Sequence, residues 1–148
     1  MKKQIYLAGA LGCYTVDESY PYDWRDKVIE YFEMYLPDEF KCFDPTEHYR
    51  YYENKHKTEK EVMRYDLRAL KNSDVVLVDL KNLHKSLGTS DEILYAYLHG
   101  IPVIGFYESD SEEEIENLHP WKIEQIDRIE IGKNAMSEAM DYIADYYF

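Results

Sequence analysis

Hydrophobic positions along this chain alternate between short aliphatic runs and longer stretches with helical spacing. Gln4-Ile5-Tyr6-Leu7-Ala8, Phe40-Lys41-Cys42-Phe43, Asp74-Val75-Val76-Leu77-Val78-Asp79-Leu80 and Ile101-Pro102-Val103-Ile104-Gly105-Phe106 are the short runs, and Arg128-Ile129-Glu130-Ile131 predicts a fifth. The third is almost unbroken aliphatic sequence, as expected of a parallel strand covered on both faces. Helical spacing runs from Glu18 to Leu36 through Trp24, Val28, Tyr31, Phe32 and Tyr35, and stops at Pro37. It returns from Thr58 to Asn72, with Val62, Tyr65, Ala69 and Leu70 inward and Thr58-x-x-Glu61 as a capping box. Ile93 to Gly100 and Lys133 onward, with Met136, Met140 and Ile143 inward, complete the pattern, while Ser109 to Glu116 predicts an acid-rich helix start. The alternation predicts one α/β domain over residues 1–148, a three-layer sandwich around a five-stranded parallel sheet in flavodoxin-like order.

In such a sheet the loops after strands one, two and three converge at the switch point and form the binding crevice. They are the turn Gly9-Ala10-Leu11-Gly12, a polar tyrosine-rich loop from Asp44 to Lys57 that is long enough for a lid, and Ser86-Leu87-Gly88-Thr89-Ser90-Asp91-Glu92. The first turn lacks the third glycine of a dinucleotide fingerprint. The last sets a carboxylate, Glu92, in the expected first turn of a helix, where the macrodipole favours an ionised and so nucleophilic form. A structural reading stands beside it, in which Thr89 and Glu92 form a capping box.

Composition narrows the function. Thirty acidic against 17 basic residues give a formal charge of −13, which repels a phosphate backbone and argues against a nucleic-acid partner. No run approaches the ~20 apolar residues of a membrane span, and Met1-Lys2-Lys3-Gln4 leads directly into a strand, so a cytoplasmic protein is expected. Cys13 and Cys42 have no zinc-type spacing and are expected as reduced thiols, with no metal and no cofactor. Of the 16 tyrosines, six cluster at Tyr49 to Tyr52 and Tyr142 to Phe148. Such clusters suit a subunit interface or a pocket for a flat heterocycle, or equally half-buried packing.

Three segments in order resemble the nucleoside 2-deoxyribosyltransferase family, which includes nucleoside 5'-monophosphate N-glycosidases. They are Ile5-Tyr6-Leu7-Ala8-Gly9, then Asp66-Leu67-Arg68-Ala69-Leu70-Lys71-Asn72-Ser73-Asp74, then Gly88-Thr89-Ser90-Asp91-Glu92 leading through Ala96 and Gly100 to Pro102-Val103. The resemblance implies that Glu92 attacks the anomeric carbon of a nucleoside sugar to form a glycosyl ester. It further implies that Asp66 protonates or orients the base, and that Tyr6 contacts the sugar and helps position the nucleophile. From the residues alone, Asp66 reads equally as a solvated helix aspartate and Tyr6 as core, while Asp74 reads as the residue that opens strand three.

Gly9, Ser86, Gly88 and Thr89 join Tyr6 as expected substrate-binding residues. Family members acting on free nucleosides carry an aspartate six positions before the nucleophile, whereas Ser86 stands here and resembles the monophosphate branch. Ser86 with the amides of Gly88 and Thr89 would hold a phosphate, aided by Lys85 or a base of the Arg50 to Lys57 loop. The expected partners are a nucleoside or nucleotide, a free base and further copies of the chain, with Tyr146, Tyr147 and Phe148 suited to a neighbour's site. The expected reaction transfers deoxyribose to an acceptor base. Transfer of a sugar phosphate to water is the alternative, and a nucleotide-binding module without turnover is the alternative of another class.

Overall fold

The computed structural model describes residues 1–10, 24–47, 56–109 and 118–146. Five strands, β1 (Lys3–Gly9), β2 (Phe40–Phe43), β3 (Val75–Asp79), β4 (Val103–Tyr107) and β5 (Arg128–Ile131), form one parallel sheet in the order β2-β1-β3-β4-β5. This is the expected flavodoxin-like arrangement. Register places Tyr6 between Phe43 and Val76, and Leu77 beside Ile104. The α-helices among the described residues are α1 (Trp24–Tyr35), α2 (Glu59–Lys71), α3 (Leu87–Leu98), α4 (Pro120–Gln125) and α5 (Ala135–Tyr146).

The two-residue period of the strands divides their side chains between two cores. Ile5, Leu7, Val75, Leu77, Ile104 and Phe106 point one way, onto Val28 and Phe32 of α1 and Ala139 and Ile143 of α5. Tyr6, Ala8, Val76, Val78 and Val103 point the other way, onto Leu70 of α2 and Ile93 and Ala96 of α3. Each fully buried aliphatic side chain here stabilises the fold by about 1.5–3 kcal/mol over its exposed state. Tyr6 therefore faces the layer from which Asp66 and Glu92 come.

Local signals set the helix ends. Thr58 and Glu61 close the expected capping box, with the Glu61 amide donating to Thr58 Oγ1 at 3.2 Å and the Thr58 amide to Glu61 Oε2 at 2.8 Å. Asp74 opens β3 as expected, its Oδ2 accepting from the Gln4 amide at 2.8 Å, and so lies at the sheet's amino end. The sheet's two outer strands carry charge: Lys41 is exposed on β2, and on β5 Arg128 pairs with Glu130 and stacks over the Tyr142 ring at 4.1 Å. No described helix is long and apolar enough to cross a membrane.

Several expectations need correction. The third helix begins at Leu87, six residues before Ile93, so Glu92 sits in its second turn. Its start was hidden because Leu87 points outward, 84% exposed, and Gly88, Thr89 and Ser90 carry no apolar signal. Tyr35 and Tyr65, expected inward, are exposed. Their hydroxyls favour water while the Tyr65 ring still packs on Phe43 and His56 at 5.9 and 5.0 Å. Helix α4 had no sequence-based counterpart. Cys13, Tyr147, Phe148, the first part of the Glu18 to Leu36 helix, most of the tyrosine-rich loop, and all of the Ser109 to Glu116 helix start except Ser109 itself lie outside the described residues.

Candidate active site

At the carboxyl ends of β1 and β3, a cavity of about 500 Å³ opens between α2 and α3. Of the residues expected to bind or react, Gly9, Asp66, Ser86, Gly88, Thr89 and Glu92 all line it. Tyr6 is fully buried behind this wall, with its ring stacked on Phe43 at 5.4 Å. Lys85 is exposed and is not among the lining residues.

The helix carrying Glu92 is fixed at its start by Ser86. The Ser86 hydroxyl accepts from the Thr89 amide at 3.3 Å and donates to Thr89 Oγ1 at 2.7 Å. The cap is therefore Ser86 with Thr89, and the proposed Thr89–Glu92 capping box does not form. That leaves the Glu92 side chain available to the cavity. Lys122 of α4 braces the same turn, donating to the Ser90 carbonyl and to Gln125 Oε1, both at 2.8 Å.

Burial, and not the macrodipole, governs the Glu92 carboxyl. Loss of water pushes it up to about 7; the Asp66 and Asp91 charges push the same way, while the Tyr6 hydroxyl and Arg25 pull it down. Asp66 is also pushed up to about 7, first by burial and then by the Asp44 carboxylate. Both carboxyls therefore hold a proton more tightly than solvated carboxyls do, chiefly because burial disfavours their charged forms. The Tyr6 hydroxyl interacts with Glu92 without reaching an aligned hydrogen bond, and burial keeps it neutral well beyond the usual tyrosine range.

Sequence reasoning missed Arg25 and the apolar wall. Arg25 lines the cavity although it is 1% exposed, because it sits at the start of α1 and reaches over Gly9. A Cβ at Gly9 would stand 3.3 Å from Arg25 Nη2 and 3.2 Å from the Trp24 ring, so glycine leaves the room the guanidinium uses. Val62, Met63, Leu67, Leu94 and Leu98 give the opposite side an apolar surface suited to a heterocycle. Their helical spacing on α2 and α3 was legible, but core packing accounts for such spacing equally well. Cys42 is a free thiol, and burial pushes it up to about 12, far from nucleophilic character. Among the described residues no group of three or more His, Cys, Asp or Glu is arranged to hold a metal.

A family model described as nucleoside 2-deoxyribosyltransferase matches residues 5–136 of the chain. No curated protein matches it in direct sequence comparison. Among solved structures, a conserved protein from Enterococcus faecalis superposes with a TM-score of 0.71 at 18% identity, over 95% of this chain and 98% of that one. A 2-desoxiribosyltransferase from Leishmania mexicana gives 0.67 at 15% identity over 99% of both chains. A CMP N-glycosidase from Clostridium botulinum gives 0.57 at 17% identity, over 97% of this chain and 99% of that one. At these identities the likeness is one of fold.

Proposed function

This chain belongs to the nucleoside 2-deoxyribosyltransferase family, and we propose that it breaks the N-glycosidic bond of a 2'-deoxyribonucleoside and transfers the sugar to an acceptor base. Carrying this reading is the meeting of Glu92 and Asp66 in one cavity, both pushed to about 7. In the first half-reaction a Glu92 oxygen bonds to C1' as the C1'–N bond breaks, and the Asp66 proton passes to the departing base. In the second, a nitrogen of the acceptor base takes C1' from the ester, Glu92 leaves as carboxylate and the acceptor's proton returns to Asp66. A two-step displacement of this kind retains configuration at C1'. Tyr6, behind Glu92, positions the carboxylate, and Gly9, Gly88 and Thr89 shape the sugar's place.

Ser86 in place of an aspartate supports a second reading, hydrolysis of a nucleoside 5'-monophosphate. Against it, the Ser86 hydroxyl and Thr89 amide are already bonded to each other, and Glu59 and Asp91 add negative charge to the cavity wall. An uncharged 5' end suits these surroundings better. The reading includes an assembly of identical copies working in the cytoplasm without a cofactor. Leu87 and Tyr97, exposed on α3, together with the exposed cavity-wall residues Leu98 and Met63, supply an apolar surface for a second copy, which sedimentation would reveal.

The test is incubation with 2'-deoxyribonucleosides and their 5'-monophosphates, with and without a free acceptor base. A new nucleoside identifies transfer; free sugar or sugar phosphate identifies hydrolysis. Intact mass should show a deoxyribosyl adduct that Glu92→Gln abolishes together with at least ~10³-fold of the rate. Ligand binding with no adduct and no released base would instead mark a binding module.

A further inference from the structure

The groove between α2 and α3 continues past the two carboxyls, and an aromatic ring stands in it. Tyr95 lines the cavity one helical turn beyond Glu92, on the same face of α3. It is half-buried and packs against the core that contains Leu70, Ile93 and Ala96. The His99 imidazole stacks on the Tyr95 ring, with the ring centres 3.9 Å apart and the planes 21° from parallel. His99 is itself tied down, because its Nδ1 donates to the Tyr95 carbonyl at 2.8 Å. A helical side chain leans back over the turn before it, so His99 covers Tyr95 from the carboxyl-terminal side. The other face of the Tyr95 ring looks back along the groove, toward the turn of Asp91 and Glu92.

We propose that the Tyr95 ring, held from behind by His99, is the platform on which the substrate's base stacks, and that it gives the site a preference for purines over pyrimidines. The inference rests on the bond cleavage proposed above, in which C1' lies at Glu92 and the departing nitrogen within reach of Asp66. A base attached there lies between α3 and α2, with Tyr95 on one side and Met63, Asp66 and Leu67 on the other. Tyrosine offers a large flat surface with only two side-chain torsions to fix, and here the core and His99 already restrict them, so binding loses little further freedom. Stacking strengthens with the area that two rings share, and a two-ring base shares more of it than a one-ring base. Tyr95 neither bonds to C1' nor gives up a proton, so it serves binding and leaves bond breaking to Glu92 and Asp66.

NMR of the full chain labelled at its tyrosine rings tests this, with the Tyr95 signals assigned by their loss in Tyr95→Phe. Adenine and 2'-deoxyadenosine should each shift those signals upfield through the ring current of the stacked base. By calorimetry Tyr95→Leu should weaken 2'-deoxyadenosine about 10-fold and 2'-deoxycytidine about 3-fold, whereas Tyr95→Phe, which keeps the ring, should stay within about 2-fold of wild type. His99→Ala should weaken 2'-deoxyadenosine about 2- to 3-fold by loosening the ring. In base-release assays the losses should appear in KM, with kcat nearly unchanged. Tyr95 signals unmoved by adenine and 2'-deoxyadenosine overturn the proposal, as do equal losses for the two nucleosides in Tyr95→Leu; the signals decide alone if that variant does not fold. Base release with unmoved Tyr95 signals sinks this inference and spares the reaction, while shifted signals without base release sink the reaction and spare the inference.

Discussion

Tyr6 on β1 interacts with Glu92 on α3 from beneath the cavity, and its buried hydroxyl forms no aligned hydrogen bond. A buried hydroxyl in that state costs about 1–3 kcal/mol of desolvation that nothing fully returns. Its benefit lies in Glu92, whose charged form it favours. Tyr6→Phe should therefore leave the melting temperature unchanged or raise it, while kcat falls about 10-fold or more. Thermal melts and base-release kinetics on the same preparation would check both halves. A variant both less stable and fully active would contradict the assignment.

Ser86 ties stability to catalysis. Its hydroxyl caps the helix that carries Glu92, so Ser86→Ala should cost about 1 kcal/mol and lower the melting temperature by roughly 2–6 °C. Fraying of that turn should also slow turnover. Ser86→Asp, which retains a capping oxygen, should recover the melting temperature in a calorimetric scan.

The two cavity carboxyls make stability depend on pH with a definite sign. Both bind protons more tightly in the folded chain than in the unfolded one, where they titrate near 4, so the folded state holds more protons between about pH 4 and 7. Stability from this source is present below pH 4 and falls as pH rises through 7. Glu92→Gln should thus gain about 1–2 kcal/mol over wild type at pH 8, after allowance for water reaching the cavity, and gain nothing at pH 4. Urea melts of both proteins at the two pH values measure the difference.

Gly105 in the middle of β4 packs against Leu80, whose Cδ1 would lie 2.9 Å from an added Cβ. Gly105→Ala should destabilise the fold by about 1–3 kcal/mol through overpacking. Gly88→Ala offers the contrast, since a Cβ there meets nothing within 4 Å. Equal melting temperatures for the two variants would refute the packing argument.

Strands were legible because a parallel sheet covered on both faces leaves continuous aliphatic runs, as in Val75 to Val78. Asp66 and Glu92 were legible as carboxylates following the family pattern, and the cavity holds both. The start of α3 was not, because two overlapping cap patterns, Ser86 to Thr89 and Thr89 to Glu92, compete in seven residues. Only packing, which turns Thr89 inward and Leu87 outward, separates them. Arg25 escaped notice because an arginine in an amphipathic helix ordinarily reads as solvated. The open space above Gly9 that admits it is a property of two elements brought together, invisible in either alone.

The charges on the two outermost strands bear on how this protein behaves when crowded. A neighbour attempting to extend the ladder beside β2 would have to dehydrate Lys41, and one beside β5 would have to disturb the Arg128–Glu130 pair. These charges disfavour fibril growth by strand addition at both rims, so concentrated solutions should remain clear, with association passing through helical faces instead.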